Sequence, residues 1–141
     1  MAALHDYLAK AHENLAGAES ELAYGRHNSC ARSAYYACFQ AAIAALIQAG
    51  LTSPEPSRGW GHDWVQASFV GQLMQRRKHY PAHLRRILTN PLDLRHKADY
   101  RAVSVSQREA QQAVSPREKT PWAFTSMPIP TQRIAFVCST S

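Results

Sequence analysis

The stretch RSAYYACFQAAIAALIQAG, residues 32–50, decides the fold. No charged residue occurs between Arg32 and Glu55, and neither Pro nor Gly interrupts the run before Gly50. Ala, Leu, Ile and Gln favour helix, and Gly50 stands where a left-handed C-terminal cap belongs. Tyr35, Cys38, Ala42, Ala45, Leu46 and Ala49 recur at i, i+3, i+4, i+7 spacing along one face, while Tyr36, Phe39, Ile43 and Ile47 form a second apolar stripe. A helix apolar on two faces is buried on two faces, so the spacing predicts a central helix covered by the rest of the chain. A membrane span is the rival reading, since a span takes about 20 apolar residues. Against it, the run is rich in Ala rather than Leu, and Ser33, two tyrosines, Gln40 and Gln48 interrupt it.

On the N-terminal side, Leu4, Leu8, Ala11, Leu15, Ala18 and Leu22 alternate steps of four and three, predicting an amphipathic helix from Ala2 to about Tyr24 that lies antiparallel on the central one. Tyr24-Gly25 is the natural break, and residues 26–33 read as a polar entry in which Asn28 or Ser29 can cap. On the C-terminal side, LTSPEPSRGWG (residues 51–61) reads as a loop. A third helix is expected from about His62 to Arg77, with Trp64, Val65, Ser68, Phe69, Gln72 and Leu73 facing inward. Pro81 interrupts, a short helix over 82–88 follows, and Asn90-Pro91 marks a turn or kink. Residues 92–114 read as one helix or two, with Leu94, Ala98, Ala102 and Val105 inward and a break and re-cap at Ser104-Val105-Ser106, supported by Gln107 or Glu109.

The expected fold is therefore all-α, an antiparallel bundle of four to five helices over residues 1–114. Residues 115–141 hold four of the eight prolines and no helical period, and read as an irregular tail in which only IAFVC has strand character. At 141 residues the chain is long enough for one domain with a real core. With 18% charged and 45% hydrophobic residues it is not a disordered chain. The net charge of +6, two units of it in the tail, favours an acidic partner such as nucleic acid. Three cysteines, Cys30, Cys38 and Cys138, with no CxxC and no His pair at zinc spacing, point to a reducing compartment and away from a metal site. Cys30 and Cys38 read as small buried hydrophobes. The N-terminus shows no apolar secretory segment, so the cytoplasm is the expected location.

Three stretches together carry a family resemblance: Gly25 followed by ARSAYYACFQAAIAAL (31–46), then GHDWVQASF (61–69) after a variable loop, then LRHKADY (94–100). In order and spacing they resemble a HEPN domain, the small helical bundle of bacterial and archaeal toxin and nucleotide-handling systems. The resemblance covers roughly residues 1–114. It implies a homodimer and, often, a minimal nucleotidyltransferase as partner or antitoxin. It also implies metal-independent ribonuclease chemistry, whose signature is an Arg, often followed by a polar residue, with a His four to six residues on. Here Arg95 and His96 match the first two positions, and the later His position falls on or beside Tyr100. A phenol, with an ordinary pKa near 10, is a poor general base at neutral pH.

On these grounds the candidate catalytic residues are Arg95, for charge stabilisation, with His62, His96 and Tyr100. For nucleotide or RNA binding they are Arg95, Asp99 and Tyr100, together with the basic run QRRKHYPAHLRR (75–86), which supplies Arg76, Arg77, Lys78, Arg85 and Arg86 with no acid between Asp63 and Asp93. No cofactor and no metal is expected. The bland readings stand beside these. Arg95 and Asp99, four residues apart, can simply pair on one helical turn. Tyr35 and Tyr36 suit a core or a dimer seam, His62 suits a helix start, and the basic run suits a solvated face. The function that follows is a subunit of a two-component system that binds or cleaves RNA, or binds a nucleotide. The alternative is a non-catalytic dimerisation or interaction module.

Overall fold

The computed structural model describes residues 2–76 and 89–114. Its elements in order are α1 (Ala2–Ala23), α2 (His27–Gln48), α3 (His62–Ser68), which runs on as a π-helical segment Phe69–Arg76, α4 (Thr89–Tyr100) and α5 (Gln107–Val114). The fold is an all-α bundle. The expected short helix over 82–88, the basic residues Arg77, Lys78, Arg85 and Arg86, Cys138 and the tail lie outside the described residues.

The central helix is α2, and it touches every other described element. Thirteen of its 22 residues are buried, on both stripes, from Cys30 and Ala31 through Tyr35, Phe39 and Ile43 to Leu46. Its length and hydropathy also suit a membrane span, yet 72% of the apolar window is buried inside the bundle, as in the core helix of a globular domain. A polar interruption has a partner there: Asn14 Nδ2 on α1 donates to Gln40 Oε1 at 2.9 Å. The seam of α1 faces α2, with Ala11, Leu15 and Ala18 buried.

Two glycines set the ends of these long helices. At Gly25 (φ 74°) the Arg26 N–H reaches Glu21 O at 2.9 Å and the Gly25 N–H reaches Leu22 O at 3.1 Å. At Gly50 (φ 84°) Leu51 N donates to Leu46 O at 3.0 Å and Gly50 N to Ile47 O at 2.9 Å. Both patterns satisfy carbonyls left open at a helix end, and both need a residue that tolerates positive φ. The tight turn at Gly25 makes α1 and α2 antiparallel.

Several sequence expectations are corrected. The segment 26–33 is not a polar entry, because α2 already begins at His27, with Arg26 at the N-cap position and no side-chain cap bond. Asn28 does not cap; its Oδ1 instead accepts the Val105 N–H at 2.8 Å, from a loop 77 residues on. The third helix does not stay α-helical to Arg77: beyond Phe69 the backbone widens into the π form, although Val65 and Phe69 are buried as expected. Asn90-Pro91 is not a turn but the first turn of α4, where a missing proline N–H costs nothing. Ala102 is exposed rather than inward, because residues 101–106 leave the helix. The 92–114 stretch is two helices. The re-cap is a reciprocal box in which Glu109 N donates to Ser106 Oγ and Ser106 N donates to Glu109 Oε1, both at 3.1 Å.

Candidate functional site

The site forms where α3 and α4 both meet one face of α2. Along that face Arg32, Tyr35, Tyr36 and Phe39 fall at helical spacing, so one cation and three aromatic rings stand in a row. The long loop 49–61 is tied back by Trp60, which meets Tyr7 of α1 edge-on at 6.3 Å and Trp64 of α3 at 5.5 Å. This fixes the start of α3 over Phe39. His62, the first residue of α3, stacks on the Phe39 ring at 4.2 Å with 13° between planes, and nearly parallel to Tyr35 at 5.6 Å. Its Nδ1 is hydrogen-bonded to the Tyr35 hydroxyl.

From the other side α4 brings Arg95. Its guanidinium carbon lies 5.1 Å from the centre of the Tyr35 ring and 5.5 Å from that of Tyr36, within cation–π range of both. The i, i+4 pair expected with Asp99 forms, Arg95 Nε to Asp99 Oδ2 at 3.3 Å. The other carboxylate oxygen accepts from Arg32 Nε on α2, and Arg32 Nη1 reaches Ser29 Oγ at 3.2 Å. One contiguous chain therefore runs His62, Tyr35, Arg95, Asp99, Arg32. It crosses three helices.

The electrostatics follow from this placement. Burial, with a smaller contribution from the Arg95 charge, holds His62 below its ordinary pKa of 6.5, against the opposing pull of Asp63. His62 is therefore neutral at pH 7. Burial pushes the Tyr35 phenol up to about 12, although the charge of Arg95 acts in the other direction. Tyr35 keeps its proton. Burial works to lower the Arg95 pKa, but Tyr36, Asp99 and Tyr35 outweigh it, and the guanidinium stays charged.

The remaining residues singled out in the sequence lie elsewhere or are undescribed. His96 and Tyr100 pair with each other, ring centres 5.9 Å apart, and both are exposed, Tyr100 at 74%. Arg76 is exposed at the end of the π segment. Cys30 is buried, its thiol raised to about 11 by burial and then by Glu21, and so is an inert packing group. Among the described residues no group of three or more His, Cys, Asp or Glu side chains is placed to hold a metal ion. Sequence reasoning placed Tyr35 and Tyr36 in the core or a dimer seam and gave Arg32 no role. The signal that finds them is their common face: the stripe that buries Tyr35 and Phe39 has a cation at its N-terminal end.

An all-α bundle whose central helix presents an arginine- and histidine-flanked tyrosine pair defines the class of the molecule. The model of the HEPN domain family matches residues 4–119, and the chain belongs to that family. HEPN domains are generally involved in RNA binding or cleavage in toxin–antitoxin or defence systems, and they commonly dimerise and act with partners. No curated protein matches the chain.

Proposed function

We propose that this chain is a cytoplasmic HEPN subunit of a two-component system that engages RNA through Arg95 and His62, as a homodimer working with a nucleotidyltransferase-like partner. The observation that carries this reading is the buried Tyr35, whose ring and hydroxyl join a charged, half-buried guanidinium to a neutral imidazole that is exposed. A phosphodiester offers what such a pair recognises, an anionic oxygen beside a polar ribose. Arg95 holds the phosphate and stabilises the charge that grows on it as the ribose 2′-hydroxyl gives its proton to water and its oxygen bonds to phosphorus. The P–O5′ bond breaks, leaving a 2′,3′-cyclic phosphate and a 5′-oxygen that takes up a proton from water. His62 is the second group at the phosphate, and His96 and Tyr100 stack or contact flanking nucleotides from the exposed face of α4. The basic side chains Arg76, Arg77, Lys78, Arg85 and Arg86 supply backbone attraction.

The test is cleavage of a mixed RNA pool by purified protein, with and without chelator. Arg95→Ala is expected to lower the rate by about 10²–10³ at unchanged thermal stability, the usual cost of removing a charge-stabilising donor. Equal rates for the two proteins end the catalytic reading. A non-catalytic nucleotide-binding module is the second reading, favoured by the phenol at position 100, on or beside the place where the ribonuclease signature of this family puts its histidine. It predicts RNA or nucleotide binding that depends on Arg95 with no cleavage by either protein.

A further inference from the structure

We propose that Tyr35 is a positioning residue that fixes His62 in the tautomer with hydrogen on Nε2, so that His62 meets its ligand as a hydrogen-bond donor and not as a base. The inference rests on the phosphate-binding reading above only for the identity of the ligand; the tautomer itself follows from the geometry. Tyr35 Oη and His62 Nδ1 share one hydrogen bond, so one of them must donate. The phenol keeps its proton, and a phenol O–H is a stronger hydrogen-bond donor than the N–H of a neutral imidazole, whose bare nitrogen is in turn a stronger acceptor than a phenol oxygen. Nδ1 of the neutral ring then accepts, and its single hydrogen sits on Nε2.

The ring's orientation is fixed by more than this bond. Phe39 supports one face at 4.2 Å, and Tyr36 meets it edge-on at 6.4 Å. The charged and titratable groups acting on the imidazole are Arg95 of α4, Asp63 of α3, and Tyr35 and Tyr36 of α2. With Nδ1 committed and the residue exposed, Nε2 is the nitrogen left for a ligand. Arg95 and His62 then present N–H groups of the same polarity to one anion, one charged and one neutral. The neutral donor adds direction without adding charge. A free imidazole has no such bias, since either nitrogen can carry the hydrogen.

The experiment is nitrogen-15 NMR of the His62 ring in the full chain at a pH well above 6.5, for wild type and Tyr35→Phe, followed by titration with inorganic phosphate. The wild type is expected to show Nε2 protonated and Nδ1 bare, with Tyr35→Phe moving to a mixture and binding phosphate about fivefold more weakly, the worth of one hydrogen bond. A wild-type ring with hydrogen on Nδ1, or a tautomer unmoved in Tyr35→Phe, overturns the proposal. The wild-type spectrum decides the tautomer even where the variant does not fold. An Nε2–H ring that leaves phosphate unbound supports the positioning role and overturns the phosphate reading instead.

Discussion

The two ends of the bundle are held together by different means. At one end Tyr35, Phe39, Ile43, Leu46, Val65 and Phe69 make a core of large side chains on which α3 rests. At the other, Ala18, Cys30, Ala31, Ala34, Ala110 and Ala113 surround Val105 and Val114, a core of small side chains that lets α5 sit close on α1 and α2. The small-residue end buries less apolar area per residue and compensates with directed bonds: Asn28 to the Val105 amide, the Ser106–Glu109 box, and Lys97 Nζ to Glu109 Oε1 at 2.8 Å. The aromatic end adds ring stacking, which buries Tyr35 and leaves the His62 ring exposed while the Tyr35 hydroxyl bonds its Nδ1. The difference shows why the site lies where it does: rings can be core on their faces and chemistry on their rims.

The comparison breaks first at Phe69. Phe69→Ala is expected to cost about 3–5 kcal/mol in urea unfolding. Ala110→Leu, which adds volume where none is free, is expected to cost about 1–3 kcal/mol. A reversed order would mean that the small-residue end dominates stability. Next, Asn28→Ala strands the amide of Val105 and is expected to cost about 1–3 kcal/mol, seen as faster amide exchange at 105–110 than at the aromatic end. Ser106→Ala removes one arm of the box at the start of α5, for about 1 kcal/mol by thermal unfolding.

The smallest effect is a pH dependence. His62 has a folded pKa below its unfolded 6.5, so the unfolded chain takes up the proton first as the pH falls. Its contribution to stability is complete above 6.5 and declines as the pH drops from there toward the folded value. His62→Gln is expected to flatten that window while leaving the acid limb of Glu109. That carboxyl is held below its ordinary value by Lys97 and then by the Ser106 amide, so its contribution disappears only at lower pH. A window unchanged in His62→Gln would remove the imidazole from the aromatic end's electrostatics.

What the sequence disclosed divides along the same line. Periodicity and the break at Gly50 revealed the central helix and its two buried faces, because a charge-free helical run has few other fates. The start of α2 was hidden, since Asn28 looks like a cap and is used 77 residues away, and no local pattern announces that partner. Arg95–Asp99 was legible as an i, i+4 pair, whereas Arg32, the second partner of Asp99, lies 67 residues from it. By sequence Tyr35 suits a core or a dimer seam, and at 2% exposure it is core; the hydroxyl's reach to His62 depends on how α3 docks, which the loop 49–61 determines.

Asp99 gives one oxygen to each of two guanidiniums from different helices, and Arg95 also rests on two rings. A long arginine gives up about 1.5–2 kcal/mol of rotamer freedom when immobilised. Here that loss is incurred during folding. On the proposed phosphate-binding reading, a guanidinium stiffened in advance would select an anion for shape as well as for charge.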